Sequence, residues 1–169
     1  MPRAPTPNRT DELLAALADV YRDADALFWG WSCPASTECC RFGLTGREPY
    51  VTSLELAALS RAVAARGGAR SWKRAPAVRE DPARASTGRV ALPVLADERR
   101  CPMLAADGRC SVYEARPLGC RTFYCDRASA GGKVKQRDVN ALVRRIQELA
   151  AAHEPGGDKG RPLTRALPG

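Results

Sequence analysis

The sequence predicts a mainly α-helical protein, with a small α+β arrangement as the variant, built as a single compact domain with irregular cysteine-rich loops. Three observations lead there. Apolar residues recur at spacings of three and four in three separate stretches, the pattern of helices that bury one face. Seven cysteines fall into two tight groups between those stretches. The length of 169 residues matches one domain at roughly 150 residues each.

The predicted core is thin. Alanine supplies 29 of the apolar residues, while Leu, Ile, Val and Phe together number only 30, and the formal charge is +8. A chain of that composition struggles to offset its conformational entropy by burial alone. Cysteine-mediated cross-linking through a metal is the obvious supplement.

Residues 1–9 read as a disordered leader, with three prolines and two arginines. Thr10 is a candidate cap for a first helix over about 11–29, with Asp11 and Glu12 in the first turn where the helix dipole favours them. Leu13, Leu14, Leu17, Val20, Tyr21, Ala24, Leu27 and Phe28 form its apolar face. Phe28, Trp29 and Trp31 read as an aromatic plug of the core. Thr52 and Glu55 make a capping-box pair for a second helix over about 53–66, carrying Leu56, Leu59 and Val63 and stopped by Gly67-Gly68. Residues 66–89 form a basic loop with seven Arg/Lys, and VALPVL at 90–95 suggests a short strand that Pro93 confines to an edge or bend. Residues 101–125 read as a loop-rich knuckle. Asp138 is a candidate cap for a third helix to about 152, striped by Val139, Leu142, Val143, Ile146 and Leu149. The compact domain is expected to span 10–153, with 154–169 a flexible, Gly- and Pro-rich tail.

Several classes are excluded or disfavoured. No stretch approaches the ~20 apolar residues of a membrane span, and no secretory leader pattern appears in the sequence. A cytoplasmic protein is therefore expected, where thiols stay reduced and clustered cysteines mean metal or redox chemistry. An odd count of seven also fits a closed disulfide framework poorly.

Cys33, Cys39 and Cys40 lie within eight residues; Cys101, Cys110, Cys120 and Cys125 lie within twenty-five. A single site drawing on both groups requires the sixty residues between them to fold back. All seven are candidate metal ligands. The only histidine, His153, lies outside both groups and reads as an exposed helix-end residue, so the donor set is essentially all thiolate. The same fact weakens a cysteine-hydrolase reading, which needs a base beside the nucleophile. Adjacent Cys39 and Cys40 suit a multi-metal cluster better than one tetrahedral ion, or one ligates while the other packs in the core. Seven thiolates exceed the four of a zinc site or a single cubane, so either three are spare or more than one metal is held. Arg116 and Arg121 flank Cys120 and either balance a negatively charged cluster or bond nearby backbone and Glu114.

These residues carry a resemblance. CPASTECC at 33–40, Leu44-Thr45 with Glu48 nearby, CPML at 101–104, DGRCSVY at 107–113 and RPLGCR at 116–121 resemble, in order and residue type, the YkgJ-type cysteine-cluster family of zinc- or iron-chelating domains. The matching region covers about 33–125. Ser36 stands where the family has its second cysteine, and Cys125 is the candidate replacement, since a hydroxyl is a poor ligand for soft metals. The resemblance implies metal binding by the shared cysteines. A relative, flagellin lysine N-methylase, is similar in these motifs and implies that some members carry an iron–sulfur centre and transfer methyl groups. This chain has neither a glycine-rich strand–helix fingerprint for a nucleotide-like donor nor the C-x3-C-x2-C spacing of radical iron–sulfur enzymes.

The leading functional expectation is a metal-binding protein holding an iron–sulfur cluster, a 4Fe-4S centre first, or zinc. A second expectation is a nucleic-acid or acidic-partner module with a structural zinc. Residues 66–89 and 133–145 carry twelve of the 27 basic residues, and Trp72 lies among them. Solvated, solubilising charge explains that pattern more simply, so nucleic acid is disfavoured as a partner while a protein partner stays open. The third expectation is a metal-dependent, methyltransferase-like enzyme. Its candidate carboxylates, Glu38, Glu48, Asp107, Glu114 and Asp126, make no recognisable acid–base pair and read more simply as turn or cap residues. Glu48 and Tyr50 stand out only by position.

Overall fold

A computed structural model describes residues 8–29, 37–68, 99–122 and 134–167. Trp72, most of the basic loop and the strand expected at 90–95 lie outside them. So do Cys33 and Cys125.

The architecture is mainly α. Helix α1 (Arg9–Leu27) opens on Asn8, whose side chain accepts from Asp11 N–H at 2.9 Å while the Asp11 carboxylate receives Asn8 N–H. The cap is thus Asn8 and not Thr10. Thr10 already lies in the first turn, where its hydroxyl cannot reach forward to a free N–H. Helix α2 (Phe42–Thr45) and strand β1 (Tyr50–Val51) lead to α3 (Ser53–Ala65), which carries the expected Thr52–Glu55 capping box. Gly67 and Gly68, at φ 97° and 77°, end it in the left-handed conformation that glycine adopts freely. Helix α4 (Leu118–Arg121) is one turn, and α5 (Gln136–His153) is the long C-terminal helix. Lys135 is the N-cap residue of α5; Asp138, expected as its cap, sits one turn inside as a favourable first-turn acid.

Two apolar clusters meet across α3. Leu17, Val20, Tyr21 and Ala24 of α1 pack with Leu54, Leu118, Leu142 and Ile146. Leu59 and Val63 face the other way, into a cluster with Phe42, Met103, Val112, Leu163 and Cys101. Helix α1 therefore buries the stripe its periodicity marks, with α5 as its principal neighbour. The aromatic plug does not form as expected. Phe28 is buried, but Trp29 is 90% exposed, because a residue one step past a helical face is rotated about 100° away from it. Trp31 lies outside the described residues. Val143, 37% exposed, lies at the edge of its stripe.

The stretch after Glu154, expected as a flexible tail, is built into the fold. Strand β2 (Arg161–Pro162) pairs antiparallel with β1, placing Tyr50 opposite Pro162 and Val51 opposite Arg161. Helix α6 (Leu163–Ala166) follows, with Leu163 at 1% exposure. Asp158 accepts from Ser53 N–H and Gly160 N–H, and His153 Nδ1 lies 2.9 Å from Ser53 Oγ. His153, expected to be an exposed helix-end residue, does end α5 but is half-buried. One buried leucine and a carboxylate at a helix N-terminus are enough to pin a segment whose composition reads as loose.

Candidate metal centre

Backbone pairing brings the two cysteine groups together. Cys101 N–H donates to Cys40 C=O at 2.7 Å, Phe42 N–H donates to Arg99 C=O at 3.0 Å, and Arg41 bridges Arg100. The first group thereby lies antiparallel against the start of the second. Thr37, at φ 63°, turns the chain into the short 3₁₀ segment Glu38–Cys40. A β-branched residue in that region stores of order 1–3 kcal/mol of strain.

The second group folds back on itself through the Asp107-Gly108 turn. Asp107 accepts from Arg109 N–H at 3.0 Å, Gly108 takes φ 78°, and Ser111 N–H donates to Met103 C=O at 2.8 Å. Cys110 returns as the partner of the Leu104 bridge, a few residues from Cys101. Cys120 rides on α4. The first N–H of that helix, from Leu118, donates to Glu55 Oε1 at 2.9 Å, while Glu55 Oε2 receives Thr52 N–H and the Thr52 hydroxyl. Glu55, 3% exposed, thus caps α3 and anchors the Cys120 helix at once. Gly119 lets α4 lie directly on the Pro49–Tyr50 segment: a Cβ there would come 2.9 Å from Pro49 Cβ.

Cys39, Cys40, Cys101, Cys110 and Cys120 all line one cavity of about 600 Å³. None is in a disulfide. Cys39 and Cys40 place their sulfurs 3.8 Å apart. Among the described residues no three Cys, His, Asp or Glu side chains are drawn tightly enough to hold one ion; the thiols are spread over the cavity wall instead. Cys33 and Cys125, the other two candidates, lie outside the described residues.

The thiols are electrically coupled. The hydrogen bond with the Cys40 thiol lowers Cys39 to about 7 against the opposing effect of burial, and the Arg116 guanidinium assists. That same bond, followed by burial, pushes Cys40 well up. Burial first, and then the neighbouring thiols, push Cys101 up to about 12 and raise Cys120 well above an ordinary thiol. A metal bound here would displace the protons of the raised thiols, which makes its uptake pH-dependent. An all-sulfur donor set in a half-buried cavity, with a guanidinium beside it, fits a soft metal or a metal–sulfur cluster.

The two arginines, alike in sequence, divide their work. Arg121 is 3% exposed; its Nε donates to Arg116 C=O at 2.9 Å, its NH1 pairs with Asp25 at 2.5 Å, its NH2 donates to Glu114 C=O, and its guanidinium lies over the Tyr21 ring. It is a strut between α1 and the knuckle. Arg116 lines the cavity, stacks on Tyr113 at 3.7 Å and reaches Asp25 at 3.4 Å. The carboxylates resolve similarly. Glu48 Oε1 receives both Thr164 N–H and the Thr164 hydroxyl at 2.6 Å, which holds α6, and Asp107 closes its turn. Asp126 lies outside the described residues. Sequence reasoning missed Glu55 as a support of Cys120, and missed Pro49, Tyr50 and Leu163 as cavity walls; the capping-box motif marked Glu55 only as a helix start.

Comparison with the curated proteins and with the solved structures found no match. A family model does match, over residues 32–142, and its description reads "CxxCxxCC: Putative zinc- or iron-chelating domain". The four-cysteine pattern in that description falls on 33–40, where this chain keeps Cys33, Cys39 and Cys40 and carries Ser36 in the second place. With about two thirds of its length matched, the chain belongs to the CxxCxxCC family of zinc- or iron-chelating domains.

Proposed function

We propose that the protein chelates an iron–sulfur cluster, a 4Fe-4S centre, through thiolates of both cysteine groups. The observation that carries this reading is that five thiols, drawn from both cysteine groups, line one cavity of about 600 Å³. A structural zinc draws four ligands into a tetrahedron at about 2.3 Å from sulfur, whereas a cluster is gripped from several sides. The adjacent, hydrogen-bonded Cys39 and Cys40 and the three thiols of the knuckle supply more than the four ligands required, with Cys33 and Cys125 in reserve. When bound, such a centre supplies one-electron chemistry or an open iron site to a substrate. Arg116 stands beside the thiolates as a fixed positive charge that favours the more reduced state of the centre. Free thiols in this number also support a reducing compartment, the cytoplasm.

The test is a set of single serine variants reconstituted anaerobically with ferrous iron and sulfide. Cys110→Ser and Cys120→Ser are expected to lose the broad visible absorption and most of the bound iron. Full retention of both by either variant, or preferential uptake of one zinc per chain without sulfide, overturns the assignment.

A further inference from the structure

The wall of the thiol cavity is not drawn only from the cysteine-bearing segments. Pro162 and Leu163 also line it, and both lie beyond residue 142, where the family match ends. Leu163 belongs to the apolar cluster of Phe42, Leu59 and Cys101, against which Cys40 and Cys110 also pack. Its neighbours Arg161 and Arg165 are exposed. Residues 161–167 therefore form a single surface layer whose inner face rests on the cluster that includes three of the thiols.

The attachments of this layer are few and local. The β1–β2 pair joins only two residues of each strand. Leu163 N–H donates to Pro49 C=O at 3.0 Å, and the Thr164 N–H and hydroxyl both donate to Glu48 Oε1 at 2.6 Å. Gly160, at φ 64°, turns the chain inward, and a Cβ there would stand 3.4 Å from Val51 C=O. None of residues 161–167 is part of the cluster of Leu17, Val20, Leu54, Leu142 and Ile146, in which α1, α3 and α5 meet. A segment with so short a hydrogen-bond ladder and one buried side chain opens at a lower free energy than the helical core unfolds.

We infer that residues 161–167 are a detachable cover of the cavity, latched by Thr164 on Glu48, and that their opening sets the rate at which the thiols exchange their metal. The inference rests on the thiols being the metal ligands, and not on which metal they hold. With the cover closed, Cys101 is 7% exposed. With it lifted, the apolar face beneath Leu163 opens to water and to competing chelators.

Two variants loosen the cover from residues that do not line the cavity. Thr164→Val removes the hydroxyl bond to Glu48, and Gly160→Ala forces a side chain into the left-handed region. Two rates are measured on the full-length protein as purified: amide hydrogen exchange of residues 161–167, and loss of bound metal to excess EDTA. In the parent, 161–167 is expected to be protected at least about tenfold less than residues 142–150 of α5. Thr164→Val is expected to raise both rates about tenfold, and Gly160→Ala about fivefold or more, each by the same factor for exchange and for metal loss. Both rates are expected to rise only weakly with urea below the unfolding transition, since little surface is exposed. Protection of 161–167 equal to that of α5, metal loss indifferent to both variants, or metal loss with the steep urea dependence of global unfolding overturns the cover. If the purified protein holds no metal, the metal reading fails on its own account. Labelling of the thiols by N-ethylmaleimide then replaces EDTA with the same expected factors, and labelling indifferent to both variants overturns the cover.

Discussion

Replacing Glu55 by alanine tests the joint that carries Cys120. The carboxylate is 3% exposed and accepts from Leu118 N–H at 2.9 Å, Thr52 N–H at 3.0 Å, the Thr52 hydroxyl at 3.1 Å and the Tyr21 hydroxyl at 3.3 Å. Burial, and next the Glu55 charge, push the Tyr21 phenol far above its ordinary range, so it stays a neutral donor. Loss of the reciprocal cap costs about 1 kcal/mol. The buried Leu118 N–H and Tyr21 O–H left without an acceptor cost roughly 1–3 kcal/mol each. The sum is about 3–7 kcal/mol, a large part of the ~5–15 kcal/mol that stabilises a domain of this kind. With a urea slope of roughly 2 kcal/mol per molar, the midpoint should fall by about 1.5–3.5 M. The assay is urea unfolding followed by far-UV circular dichroism, at matched metal content. Glu55→Gln keeps one acceptor oxygen and should lose about half as much. A midpoint shift below roughly 0.5 M for the alanine variant would refute the joint.

Other consequences are equally direct. Gly119→Ala drives a methyl to 2.9 Å from Pro49 Cβ, a rigid ring carbon, and should cost about 1–3 kcal/mol while lowering metal uptake through the displaced Cys120; unchanged urea midpoint and metal content would contradict the close approach. Arg121→Lys keeps the charge but loses the fork that ties Glu114, Arg116 and Asp25 together, and the melting temperature should fall by roughly 5–10 °C, against no change if the strut is idle. Burial, the largest single influence, raises Asp158, but the Ser53 and Gly160 N–H groups, the Ser53 side chain and Arg161 together outweigh it and hold the carboxyl below 3.8. Its contribution is therefore fully present above pH 3.8 and fades as pH falls through its lower folded value. The stability gap between the protein and Asp158→Asn should narrow below that pH, and a gap that widens on acidification would contradict the sign.

The three long helices were legible because each buries a stripe whose period survives in the sequence, and Thr52–Glu55 was legible as a start signal. The spacing of the two cysteine groups required a fold-back only if one site draws on both, a condition the sequence left open. What stayed hidden depends on contacts between distant residues. Asn8 outcompetes Thr10 because Asp11 answers it, a reciprocity that either residue alone does not reveal. The two-residue strands β1 and β2 are too short to carry an alternation, and Leu163 sits among glycines and prolines that read as a loose tail. Glu55 looked like a local cap, since only the fold brings Leu118 and Tyr21 to it. Arg116 and Arg121 flank the same cysteine, yet one lines the cavity and the other braces α1.

The proposal at the centre is that five thiols lining one cavity hold an iron–sulfur cluster. Its most direct test is anaerobic purification without added metal, with iron, zinc and acid-labile sulfide measured on a sample whose visible spectrum is recorded. The account predicts iron and sulfide in equal amounts, about four of each per chain, with a broad brown absorption. About one zinc per chain, no sulfide and no colour would contradict it.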